Sequence, residues 1–150
     1  MSSRLFHEIR ETRGLAYAVH SFRLPFADAG ASAIYVGTTP SQSEEVLKII
    51  REQLALMVNE GVTEAELDRA KGHVQGALAI GLEDANSRMN RIGRTELTGL
   101  EHLTVAETVE RISAVTNDDI IDVARAAYDG PYVIGAVGPF GADDLLEFVQ

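Results

Sequence analysis

The chain has 150 residues and a mass of 16.2 kDa, with 13 Lys and Arg against 23 Asp and Glu, a formal charge of −10. That length suits one domain, and a composition of 45% hydrophobic and 24% charged residues excludes a disordered chain. The acid excess argues against nucleic acid or an anionic membrane as partner, and the absence of Cys excludes disulfides, thiolate nucleophiles and Cys-ligated metals.

In chain order, Leu5, Phe6 and Ile9 fall at helical spacing and predict a helix over 3–13, stopped by Gly14. The next segments are rich in aromatic and β-branched residues. They predict strands at 16–25 and 31–38, joined as an antiparallel hairpin through the turn residues Asp28 and Gly30. Four helix starts then match the capping-box pattern: Ser41 with Glu44, Thr63 with Glu66, Thr104 with Glu107, and Thr116 with Asp119. With the apolar periodicity that follows each, they predict helices at 42–60, 63–80, 85–98, 105–115 and 117–128. Gly72 and Gly76 share a helix face, and since each glycine costs a helix about 1 kcal/mol relative to Ala, a close approach of a neighbouring element is the expected compensation. A break is expected between Gly81 and Ser87. A buried strand is predicted at 132–137 (YVIGAV), ended by Gly138-Pro139 and pairing with the hairpin.

This order implies an α+β fold over 1–150 as a single domain: a small, mostly antiparallel sheet with helices packed on one face. No apolar run approaches the roughly 20 residues that span a bilayer. The N-terminus carries acids and lacks the apolar core of a signal peptide, so a cytoplasmic setting is expected.

Chemistry is sparse. His7, Glu8 and Glu11 lack the second histidine of HExxH, and a two-ligand His7/Glu11 site competes with an ordinary salt-linked helix surface. His20 and His73 stand alone. Neither a GxSxG elbow nor a phosphate-binding glycine loop occurs, and for the acids at 64–68 and 83–84 a catalytic pair competes with the more ordinary solvated helix face. One segment is different: Ile9-Arg10-Glu11-Thr12-Arg13-Gly14-Leu15-Ala16-Tyr17. A cation at a helix end, a glycine turn and a tyrosine opening a strand place two hydrogen-bond donors suited to a peptide carbonyl or an oxyanion. On the residues alone, the competing account has Arg10 and Arg13 complementing the helix dipole and Tyr17 packing in the core.

The run MSSRLFHEIRETRGLAY at residues 1–17 resembles the (G)MSSRLFxExRExxGLAY signature of the M16 zinc peptidases, the pitrilysin, insulin-degrading and mitochondrial processing peptidase family. The similarity continues more loosely through a GTxP turn at Gly37–Pro40, the helix ending EGVTEAEL, Lys71, Arg88 and Gly99, to about Phe140. Members of that family resemble a clamshell of two homologous halves. The catalytic half carries HxxEH and a distal glutamate that bind zinc and activate water. The other is metal-free and contributes an arginine and a tyrosine to the substrate. This sequence has no HxxEH, and the Arg/Tyr pair falls on Arg10 and Tyr17.

The resemblance therefore implies the C-terminal, substrate-binding half of an M16B-like zinc metalloendopeptidase that hydrolyses peptide bonds in extended polypeptides. Arg10 and Tyr17 are the implied catalytic contacts; no metal or cofactor is expected in this chain, with zinc in the partner half. The implied partners are an N-terminal HxxEH-bearing half, in the same chain or in a dimer, and a peptide substrate. The half-domain is expected to be inactive alone. Relative to the LuxS/MPP-like metallohydrolase half-domain, it is also expected to lack its first strand and helix. The exposed sheet edges would then favour a homo-oligomer by strand addition. The alternatives are a non-proteolytic M16-like assembly or presequence-binding subunit, and an unrelated α+β dimerisation module.

Overall fold

A computed structural model describes residues 3–26, 28–141, 144, 145 and 148. A π-helical segment spans Phe6–Thr12, followed by strands β1 (Ala16–Pro25) and β2 (Gly30–Thr38) and a 3-10 turn at Pro40–Gln42. Five α-helices follow: α1 (Ser43–Glu60), α2 (Glu64–Gly81), α3 (Ala85–Thr98), α4 (Val105–Ala114) and α5 (Asn117–Tyr128). The architecture is α+β with a two-stranded antiparallel sheet. The chain divides into two compact units, Met1–Gly61 with Ile121–Gln150, and Val62–Ile120.

The first unit holds the core. Ile9 of the π-helix, Leu15, Ala16 and Val19 at the start of β1, and Val46 and Ile49 of α1 are buried together, with Leu5, Val36 and Ile50 against them. The π-helix and α1 thus cover one face of the hairpin, the face on which Val19 pairs with Val36. Further along that face Ser32 and Tyr128 share a hydrogen bond of 3.0 Å, fastening the end of α5 to the hairpin. On the opposite face His20 stacks on Tyr35 at 4.9 Å and on Phe22 at 6.0 Å between ring centroids.

The π-helix ends in a turn that needs glycine. Gly14 has φ +63° and donates to the Arg10 carbonyl at 3.1 Å, while Leu15 donates to the Ile9 carbonyl at 2.8 Å. This is a Schellman-like closure in which each bond reaches one residue further back than at an α-helix end. The chain then enters β1 through an irregularity in register. Ala16 pairs with Thr38 and Ala18 with the next residue, Gly37, so Tyr17 is the extra residue of a β-bulge.

The bulge explains a parity that a regular strand forbids. Side chains alternate between faces along a strand, yet Ala16 and Val19, three residues apart, are both buried. The Thr38 hydroxyl donates to the Leu15 carbonyl at 2.6 Å and ties β2 across the start of the bulged strand.

The second unit is held differently. No residue from 62 to 120 is buried. Its helices are joined by polar bonds: Lys71 and Gln75 of α2 donate to the Ser113 carbonyl and hydroxyl, both at 2.9 Å. Arg91 of α3 donates to the Leu103 carbonyl and the Thr108 hydroxyl. The Val62 amide donates to the Asn117 side chain at 2.8 Å. Reciprocal caps start three helices: Thr63 with Glu66, Thr104 with Glu107, and Thr116 with Asp119. Asp84 caps α3 by accepting from the Ser87 amide at 2.7 Å, and the short turn at 82–84 separates α2 from α3.

Three expectations are corrected. The segment 132–137 does not form the expected strand: Val133 and Val137 are 98% and 104% exposed, and β1 and β2 are paired with each other alone. An extended run becomes a strand only when a neighbouring edge receives its backbone bonds, and among the described residues none does. Ser41 does not cap α1. Pro40 opens a 3-10 turn there, Thr39 donates to the Gln42 side chain at 2.9 Å, and Ser43 donates back to the Pro40 carbonyl. Gly72 and Gly76 meet no close neighbour, since a Cβ built on either finds no atom within 4 Å among the described residues.

Candidate functional site

The segment from Phe6 to Tyr17 concentrates the unusual geometry of the chain. Ile9 is fully buried and anchors the π-helix in the core, so the neighbouring Arg10 is carried to the surface at a fixed place. Gly14 turns the chain into β1, where the bulge directs Tyr17 away from the core face that Ala16 and Val19 occupy.

Arg10 and Tyr17 meet. The Arg10 guanidinium carbon lies 5.3 Å from the Tyr17 ring centroid and 4.9 Å from that of Phe6, both within the range of a cation–π contact. Tyr17 is 85% exposed, so the alternative in which it packs in the core does not hold. Beside them, Arg10 Nε is 3.8 Å from Glu11, a surface ion pair longer than a hydrogen bond.

Arg13 has the structural task that the competing account gave to both arginines. It donates to the Glu8 carbonyl at 3.0 Å and pairs with the Glu8 carboxylate, closing the last turn of the π-helix. The hydrogen bond from Arg13 holds the Glu8 carboxyl below its ordinary value, and the same bond raises Arg13. Arg10, which also lies in the last turn of the π-helix, stacks on Phe6 and Tyr17 instead.

The other candidates disperse. His7 turns to the Thr12 hydroxyl at 3.2 Å and to Glu8, while Glu11 turns to Arg10, so the two-ligand His7/Glu11 arrangement is not assembled. His20 lies in the aromatic stack on the hairpin, His102 pairs with Glu96 at 2.8 Å, and His73 is exposed on α2. Glu66 and Asp84 serve as helix caps. Among the described residues, no group of three or more His, Cys, Asp or Glu could hold a metal ion. No described helix is long and apolar enough to cross a membrane. Zinc therefore has no matching donor set within the described part of this chain.

Sequence reasoning missed Phe6 as a neighbour of Arg10 and missed the bulge at Tyr17. The i,i+4 spacing of Phe6 and Arg10 on a helix was the available signal for the first. Nothing local announces the second.

What the arrangement offers is a planar guanidinium set against the ring of an exposed phenol. Both are donors, and together they suit a carbonyl oxygen or a developing oxyanion. Residues 1–73 match the family model described as the peptidase M16 inactive domain. An uncharacterized zinc protease of Streptomyces coelicolor is 45% identical over 139 residues, which cover 93% of this chain and 30% of that protein. The chain belongs to the M16 peptidase family. Within that family it corresponds to the inactive, C-terminal domain. A relative in Mycobacterium bovis, also described as an uncharacterized zinc protease, is 42% identical over 97% of this chain and 33% of its own length. A solved M16 inactive domain from Pseudomonas fluorescens superposes with a TM-score of 0.74 at 25% identity, covering 83% of this chain and 30% of that one. The chain spans about a third of the length of these curated relatives. Family membership removes the unrelated dimerisation module from consideration.

Proposed function

We propose that this chain is the substrate-binding, non-catalytic half of a zinc endopeptidase that cleaves peptide bonds in extended polypeptides. The observation that carries this reading is the meeting of Arg10 and Tyr17 on an exposed bulge, 5.3 Å apart, beside the family signature. Arg10 donates to a carbonyl of the bound peptide close to the scissile bond. Tyr17 donates its phenolic proton to the oxygen on which negative charge develops, or fixes the neighbouring carbonyl. The metal belongs to an HxxEH-bearing half, fused or separate, which is the partner this half requires. The names of the longer relatives as zinc proteases support that placement. The open edges of the β1–β2 hairpin suit an extended peptide added as a further strand, and the same edges suit self-association. By itself the chain is inactive, and we place it in the cytoplasm.

The test is Tyr17→Phe in the assembled two-half enzyme. Loss of one oxyanion donor raises a barrier by about 3–4 kcal/mol, or roughly 10²–10³-fold in rate. Peptide turnover should fall by that factor while zinc content stays the same. Turnover equal to the parent would refute the assignment of Tyr17. A parent assembly that binds peptide but neither holds zinc nor cleaves would establish the non-proteolytic reading instead.

A further inference from the structure

Resting on the reading of Arg10 as a peptide-binding donor, we propose that Phe6 is the positioning residue for Arg10. A surface arginine has many rotamers, and directing it at one carbonyl requires something to select among them. Of the two rings within reach, Phe6 is the nearer, at 4.9 Å against 5.3 Å for Tyr17. It is also the better anchored. Phe6 is half-buried on the π-helix that Ile9 fixes in the core, whereas Tyr17 is 85% exposed. The charged neighbour, Glu11, stands 3.8 Å from Nε with more than half of its side chain in water, which makes it a weak orienting group.

An aromatic face engages the face of a guanidinium and leaves the in-plane N–H groups as the part that bonds to an acceptor. Phe6 thereby does for Arg10 what a hydrogen-bonded carboxylate does in other sites, without consuming a donor. The four-residue separation places the ring and the cation on the same side of a wide helical turn.

The experiment compares Phe6→Leu with Phe6→Tyr. In the 150-residue chain, proton NMR reads the ring-current shift of the Arg10 Hδ protons and their NOE to the residue-6 ring. Phe6→Tyr should keep both, and Phe6→Leu should lose the Phe6 part of the shift. Unchanged Arg10 shifts in Phe6→Leu would overturn the proposal. If Phe6→Leu does not fold, absence of the Phe6–Arg10 NOE in the parent chain would overturn it equally well.

In the assembled enzyme, Phe6→Leu should lower kcat/KM about two- to five-fold, the factor an exposed cation–π contact carries, with Phe6→Tyr restoring it. Parent-like kcat/KM in Phe6→Leu, alongside a damaging Arg10→Lys, would also overturn it. Failure of the underlying reading looks different: Arg10→Lys would then leave turnover unchanged, while the NMR result for Phe6 stands or falls by itself.

Discussion

Replacing Gly14 by Ala tests the turn on which the site depends. Gly14 has φ +63°, and a Cβ built there meets no atom within 4 Å, so the substitution carries no clash and its cost is purely conformational. Holding an L-residue in the left-handed region costs roughly 1–2 kcal/mol. The stiffer unfolded chain of an alanine variant returns about 0.4–1 kcal/mol. The net is a loss of about 1 kcal/mol, or about 2–4 °C in Tm for a chain of this size. Asn tolerates the left-handed region better than Ala, so Gly14→Asn should lie between Ala and the parent. Gly76 supplies the opposite sign: it is helical and equally uncrowded, and Gly76→Ala should strengthen α2 by about 1 kcal/mol. Urea unfolding followed by helical ellipticity measures all three. Gly14→Ala at or above the parent, or Asn costing more than Ala, would refute the conformational argument.

Ile9 is the most deeply buried side chain of the core, at 0% exposure. Ile9→Ala should cost about 2–5 kcal/mol and Ile9→Val about 0.5–1.5 kcal/mol; urea midpoints in which the two variants coincide would show that the core does not close on this residue. Acid should weaken the helix starts. The carboxyls of Asp84, Glu107 and Asp119 lie below their ordinary values because they accept bonds from Ser87, Thr104 and Thr116 respectively. Each unfolded carboxyl therefore binds its proton at higher pH than the folded one. The stability they confer is complete above the ordinary carboxylate range and is lost as pH falls through the depressed folded values. The combined variant Asp84→Asn, Glu107→Gln, Asp119→Asn should flatten the acid limb of stability against pH, and an unchanged limb would contradict the sign.

Local signals were legible in the sequence to the extent that they are local. The reciprocal caps at Thr63 and Thr104 need only residues three apart, and the glycine stop at Gly14 only one. The hairpin follows from two β-rich runs and a turn. Competition between local patterns was hidden, and so were tertiary facts. The Thr39–Gln42 bond displaced the expected cap at Ser41, because Pro40 admits a 3-10 turn that competes for the same backbone groups. The run at 132–137 has strand composition, but composition does not provide an edge to pair with. At the proposed site, Arg10 and Tyr17 were singled out by a family motif, not by spacing alone. Their contact was not visible, since it depends on a helix widened by one residue and a strand bulged by another.

The bulge sets Tyr17 apart from the rest of its strand. The ladder on either side of Tyr17 is continuous without it, because Ala16 and Ala18 already face consecutive partners, Thr38 and Gly37. Excising Tyr17 would leave an uninterrupted hairpin in which Ala16, Ala18 and Val19 keep the alternation that the core demands. Tyr17 is thus an insertion that the alternation of the hairpin does not require. What the bulge supplies is direction: it turns Tyr17 out of the hairpin's alternation, exposed and with its ring 5.3 Å from the Arg10 guanidinium carbon.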